Sequence, residues 1–354
     1  MPQCGVLSIK EVVEKMKLIS AGKPVSRVFV GAMGATLIAG AMQLSALAFT
    51  TPSTSTLQAD ADAALNYLAT QQLPDGSLDD RASETEDYIL GTTADGKDPN
   101  KLISSAGKSV YDWLAANMAS ATSGANRTGK LAQALVAGRR DPTNFAGTNV
   151  LGLLEGPGAT TGGFYNALTG SFDTGRDAAF AQSNAMLGLF AANNIVYPVS
   201  PQAVQYLKGL QNTSSGAGSG GWMADGISNT NSTAMALMAL AAAHDTSTFA
   251  SAFSFLHTQQ DPNTGGFVFT TIGVAYPSSD PDSDALVIQG LVAAGQDPGS
   301  ATWSNSNGNA LSDIVTFQAA NGGFSFTHTS SPNAFTTSFV PAGLLKAPFP
   351  ILPH

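Results

Sequence analysis

Four segments of the chain align without gaps on one pattern: alanine, leucine or isoleucine four residues on, and glutamine four residues after that. They are Ala64-Leu68-Gln72, Ala203-Leu207-Gln211, Ala252-Leu256-Gln260 and Ala310-Ile314-Gln318. A spacing of four puts the three side chains on one face of a helix. A glycine-bearing turn follows each glutamine, usually with an aromatic: Asp75-Gly76-Ser77-Leu78, Gly220-Gly221-Trp222, Gly265-Gly266-Phe267 and Gly322-Gly323-Phe324. Gly162-Gly163-Phe164 reads as a fifth copy of the turn behind a weaker helix at 149–154, and Val110-Leu114-Met118 as a degenerate copy of the first helix. A repeat of about fifty residues confines the fold to units that stack or close on themselves.

A second, strongly apolar helix follows each turn, except in the first unit, where Asp87-Tyr88-Ile89-Leu90 runs into Gly91 and Gly96 without a full apolar helix. The clearest copies are Asn231-Ser232-Thr233 leading into 234–243 and Asp282-Ser283-Asp284 leading into 285–294, with 177–192 and 333–345 repeating the theme. Asp, Asn, Ser and Thr at these starts are natural N-caps for the unpaired first-turn N–H groups. Asp141-Pro142 and Asp297-Pro298 close two units, because proline cannot easily continue a helix. Six hairpins result, at 60–98, 106–141, 147–195, 201–244, 248–297 and 307–347. The first helix of a unit keeps a polar face (Asn66 and Thr70; Gln205 and Lys208), whereas 234–241 is apolar all round, as in a helix buried on every side. The expected fold is all-α, an (α/α)6 toroid with the apolar helices inside.

Charge divides the chain at about residue 50. Residues 1–50 carry a net +3 within a chain of −9, and the uncharged stretch 28–49 ends Ser45-Ala46-Leu47-Ala48. A basic flank, an apolar core and an Ala-x-Ala ending describe a secretory signal cleaved after Ala48, or else a membrane anchor. Either places residues 51–354 outside the cytoplasmic membrane, with 51–59 a polar linker, 60–347 the ring and 348–354 a tail. Membrane contact is expected only through the N-terminal segment. The acidic balance disfavours a phosphate backbone, so nucleic acid is not an expected partner. Cys4 is the sole cysteine, so the body has no thiol nucleophile, disulfide or cysteine-based metal site.

With its Gln-x3-Gly-Gly-aromatic turns and capped Ala/Leu-rich helices, the chain resembles the prenyltransferase and squalene-cyclase repeat family over about residues 60–347. It reads as an exported, bacterial-type member. That resemblance implies a toroid whose turn glutamine and aromatic tie neighbouring helix ends together, with Gln260, Gly265, Gly266 and Phe267 the best match. It extends to the α-domain of cobalamin carriers. Zinc-dependent prenyl transfer is not expected, since His244, His257, His328 and His354 have no paired ligand spacing. No metal or other cofactor is expected.

Asp280-Pro281-Asp282-Ser283-Asp284-Ala285 is similar to the Asp-x-Asp-Asp-Thr-Ala motif of class II terpene cyclases, in which the middle aspartate protonates an alkene. Asp282 falls on the donor position, Ser283 replaces the next aspartate and Asp284 the threonine. Such a donor must be a neutral, desolvated acid. The alternative reading of these acids is an N-cap with neighbouring loop carboxylates. The expected function is binding of an unidentified small molecule or cell-surface partner at the ring mouth, through Trp222, Asn231, Phe267, Asp177 and Tyr165. A terpene cyclase using Asp282, with Asp280 and Asp284 beside it, is the first alternative. The second is a glycan-active ring in which Asp173, Asp177, Asp225 and Asp282 supply an acid–base pair.

Overall fold

The computed structural model describes residues 49–155, 163–274 and 277–354. Cys4, the predicted signal or anchor up to Ala48, and Gly162 lie outside the described residues. Among the described residues no helix is long and apolar enough to cross a membrane.

The chain is mostly α-helical and alternates two kinds of helix. The first hairpin pairs α1 (Thr54–Gln71) with α2 (Ala82–Ala94); the second sets the short α3 (Val110–Ala116) and α4 (Met118–Ala121) before α5 (Ala125–Ala137). Next come α6 (Val150–Glu155) and α7 (Ala178–Ala192), then α8 (Pro201–Gly209) and, behind a two-stranded antiparallel ribbon, α9 (Thr230–Ala242). The ribbon pairs β1 (Trp222–Ala224) with β2 (Ile227–Asn229) and is a departure from the all-α expectation. The last hairpins are α10 (Phe249–Thr258) with α11 (Pro281–Ala293), and α12 (Ala310–Ile314) with α13 (Ala334–Leu344). The second helices pack in sequence, α2 on α5, α5 on α7, α7 on α9, α9 on α11 and α11 on α13, and α13 returns to α2.

These second helices carry the core. In α9 every residue from Ser232 to Leu240 is buried, and α11 is buried from Pro281 to Leu291. Small residues allow that packing: a Cβ on Gly290 would press on the Ala234 backbone, and one on Gly343 on Ala285. The capping residues lie two positions earlier than the sequence suggests. Asn229 caps α9 by accepting from Ser232 N at 2.8 Å, and Asp280 caps α11 by accepting from Ser283 N at 2.8 Å. Asn333 caps α13 as expected, through Thr336 N at 2.9 Å.

The repeat glutamines join one unit to the next. Gln72 Nε2 donates to Gly76 O at 3.0 Å and to Leu102 O at 3.3 Å, and Gln211 to Gly220 O at 2.8 Å and to Thr248 O at 3.2 Å. Gln260 reaches Gly265 O at 2.9 Å and Trp303 O at 2.8 Å. Gln318 reaches Gly322 O at 3.1 Å and, on α1, Asp60 O at 2.8 Å, so the last unit is tied to the first by the bond that ties the others in series. Each such amide bridges a carbonyl of its own turn and a carbonyl of the next unit.

Three sequence expectations are corrected. The linker at 51–59 is mostly helix, because Ser53 Oγ accepts from Thr56 N at 3.2 Å and starts α1 at Thr54. The third unit has a turn later than the one expected at Gly162-Gly163-Phe164, of which Gly162 lies outside the described residues. Gly170-Ser171-Phe172 forms it, with Gly170 at φ +80° against the Gln202 carbonyl. The first unit, read as lacking a full second helix, has one in α2, thirteen residues long despite Glu84, Glu86 and Asp87.

Candidate functional site

One hydrogen bond recurs where each turn meets its second helix. Leu78 N donates to Thr85 Oγ1 at 3.0 Å, Phe172 N to Gln182 Oε1 at 2.8 Å, and Trp222 N to Thr233 Oγ1 at 3.0 Å. Phe267 N donates to Asp284 Oδ1 at 2.6 Å, and Phe324 N to Thr337 Oγ1 at 2.8 Å. The bond fixes a common register. Two residues before the acceptor stand Ser83, Phe180, Asn231, Asp282 and Phe335; two residues after it stand Asp87, Asn184, Met235, Leu286 and Phe339. Positions four apart share a helix face.

Side chains of that face meet across the helix cycle. Lys130 of α5 bonds Asp87 Oδ2 of α2 at 2.6 Å and lies 5.2 Å from the ring centre of Phe339 of α13. Phe339 packs edge-on against Phe335 at 5.2 Å. Asn184 of α7 bonds Asn126 of α5 at 2.7 Å. Asp282 of α11 stands close enough to Asp87 for the two charges to disfavour one another.

The three aspartates of the α11 start have separate jobs. Asp280 is the cap, with Oδ1 and Oδ2 taken by Ser283 N and Oγ, both at 2.8 Å. Asp284 is the turn acceptor, standing where other units use threonine or glutamine. Asp282 alone is uncommitted: its side chain is buried and its Oδ1 has no hydrogen-bond partner. Burial, reinforced by the charges of Asp280 and Asp87, pushes the Asp282 carboxyl well above the usual carboxylate range. Burial also raises Asp280, to about 6, and carries Asp284 well up, with Asp313 of α12 adding to it. That rise favours the protonated form of Asp282, the form a proton donor requires.

Most predicted ligand contacts prove structural. Trp222 is fully buried and its Nε1 donates to Leu207 O at 2.7 Å. Phe267 is fully buried 6.3 Å from Trp303, because the turn aromatics plug the wedge between a hairpin and the next. Tyr165 bonds Ser200 and packs on Phe172 at 5.0 Å. Asp177 is exposed at the head of α7 and makes no capping bond. Asp225, of the glycan reading, is ion-paired with Arg176 at the surface. Asn231 is half-buried at the register position of Asp282.

The sequence reading missed Glu84, Glu86, Asp87 and Lys130. Glu86 is fully buried with neither carboxylate oxygen partnered, and burial pushes it well up. Burial raises Asp87 too, but the Lys130 ammonium opposes that rise. The signal was the run Glu84-Thr85-Glu86-Asp87, at the point in the repeat where other units start a buried helix.

These acids set a pH dependence of stability. Asp280 keeps its proton to about pH 6 when folded, whereas an unfolded aspartate loses it near pH ~4. The folded state therefore binds more protons, and stability declines as pH rises through that window and further for Asp282, Asp284 and Glu86. Urea midpoints are expected to be lower at pH 8 than at pH 5; equal midpoints would mean the acids are not buried as described.

Comparison with known proteins bears on the fold alone. No family profile matches the sequence, and no curated protein matches it. Solved structures place the chain in the class of terpenoid cyclase-like folds. The particular neighbours are structures of variants of MstE, a type II terpene cyclase from Scytonema. One, with the product merosterolic acid A, is 14% identical at a TM-score of 0.53, and the match covers 83% of this chain and 97% of that one. A second, with the substrate geranylgeranyl dihydroxybenzoate, is 14% identical at 0.54, covering 83% and 98%. A third, with the same substrate, is 16% identical at 0.52, covering 83% and 97%.

Proposed function

We propose that the chain is a proton-initiated isoprenoid cyclase, with Asp282 as the acid that protonates a terminal alkene. The observation that carries this reading is the buried Asp282 carboxyl, without a partner on Oδ1, in a repeat position where sibling units hold Ser83, Phe180, Asn231 or Phe335. The neighbouring cyclase structures support this reading at the level of the fold. Phe335 and Phe339 offer aromatic faces to developing carbocations. In this proposal the twelve principal helices form an α/α toroid, supported by the closed cycle of second-helix contacts and by the Gln318–Asp60 tie.

The cyclase reading takes precedence over a binding ring because Trp222 and Phe267, two of the residues expected to hold a ligand, are fully committed to packing. Candidate substrates are linear polyprenyl chains, with or without a polar head. The proposal keeps residues 1–50 as a targeting or anchoring segment, which cell fractionation and N-terminal sequencing of the mature chain check.

The direct test is incubation of the purified chain in D2O with squalene, geranylgeraniol and geranylgeranyl dihydroxybenzoate, without added metal. A cyclic isomer carrying one solvent deuterium at a saturated carbon is the expected product. Recovery of every substrate unchanged and undeuterated would reject the cyclase reading for these chain types.

A further inference from the structure

Asp282 and Asp87 are the same functional group in opposed environments. Among the described residues no cation is paired with Asp282, and its Oδ1 has no hydrogen-bond partner. Asp87, on the same register face of α2, is 4% exposed and paired with Lys130, whose ammonium is only partly buried. The charged groups around this pair are Glu84 and Glu86 on α2, Arg127 and Lys130 on α5, and Asp282 on α11. Burial raises both carboxyls, but Lys130 opposes the rise only at Asp87, and two carboxyls set in unlike surroundings can serve one as acid and the other as base.

We propose that Asp87, ion-paired with Lys130 through Oδ2, is the terminating base of the reaction that Asp282 starts; the inference rests on the cyclase reading above. Asp282 gives its proton to the terminal alkene, so a C–H bond forms as a π bond breaks and Asp282 becomes a carboxylate. Each following C–C bond uses the electron pair of the next alkene, and the positive charge moves along the chain toward Asp87. There a C–H bond next to the last cation breaks, its electron pair closes a new C=C, and the proton goes to Asp87 Oδ1, since Lys130 engages Oδ2. The product is an isomer of the substrate, and no oxidant or co-reactant is consumed. After release Asp87 gives its proton to water and Asp282 takes one up. Lys130 is a positioning residue, holding the charge of Asp87 and lying over Phe339.

The experiment compares products, with whichever isoprenoid the wild-type chain turns over. Asp87→Asn is expected to keep consuming substrate within about tenfold of wild type while shifting the product from the cyclic alkene to alcohols and partly cyclised chains, because water or early deprotonation ends the cascade. Asp87→Glu is expected to restore most of the alkene. The double variant Asp87→Asn with Lys130→Met removes both charges together, avoids an unpaired buried lysine, and should give the same product shift. An unchanged product ratio in both Asn variants, with only stability altered, would make the pair structural and overturn the inference. Loss of cyclisation in Asp282→Asn alongside such an unchanged ratio leaves the acid standing and the base refuted. Persistence of cyclisation in Asp282→Asn refutes the cyclase reading itself. A readout free of substrate is the infrared difference spectrum at pH 7. Asp282→Asn should remove a neutral carboxylic acid band and Asp87→Asn a carboxylate band; a neutral acid band lost in Asp87→Asn would rule out the base.

Discussion

Asp282→Asn should lose proton-initiated turnover by about 10³-fold or more while the folded protein becomes harder to melt. A positioned general acid contributes about 10²–10⁴-fold, and no other α11 carboxyl can take over. Asp280 is fixed by Ser283, and Asp284 holds the Phe267 amide. The stability gain has a separate cause. Burial lifts the Asp282 carboxyl well above its unfolded value, so the folded chain holds that proton to higher pH than the unfolded chain does, and the difference opposes folding increasingly as pH rises. An amide of the same shape removes it. The melting temperature should rise by about 2–4 °C per kcal/mol relieved, more at pH 8 than at pH 5, where both states are nearer to neutral. Thermal scans of both proteins at the two pH values, beside turnover assays, check this. Activity within tenfold of wild type would remove Asp282 from the chemistry, and a lower melting temperature at pH 8 would show that its burial is compensated.

Gly322→Ala is expected to be the most damaging single-methyl change at the seam between the sixth and first units. Gly322 has φ +88°, and a Cβ there would overlap the Ala63 carbonyl of α1. The turn must lift from α1, which takes Gln318 away from Asp60 O. Backbone strain plus a broken inter-unit tie should cost about 3 kcal/mol or more. Gly96→Ala is the control, since Gly96 has φ +69° with open space around it, so only conformational strain of about 1 kcal/mol is expected. Urea unfolding of the two variants separates the contributions; equal losses would show that Gly322 matters only for its backbone angle.

The Gln and Gly repeats were readable from sequence because one local rule, a glutamine amide bridging two carbonyls, recurs in four of the units. Helix caps were readable to within two residues. Asn229 and Asn231, or Asp280 and Asp282, are equally good caps by type, and only the fold selects between them. That selection matters, because it leaves Asp282 free. The aromatics misled because Trp222 and Phe267 sit beside glycine turns, a position shared by ligand contacts and by buried wedges. The acids of α2 were illegible for a different reason. Three carboxylates in four residues argue against a buried helix unless their partner is known, and Lys130 stands 43 residues away from Asp87.

The tie from Gln318 to Asp60 spans 258 residues. During synthesis α2 therefore keeps one flank bare until α13 has left the ribosome, whatever the units between have already achieved. Contacts of such separation slow folding and leave greasy surface open to wrong partners in the meantime. α13 is thus the latch whose arrival covers the bare flank of α2.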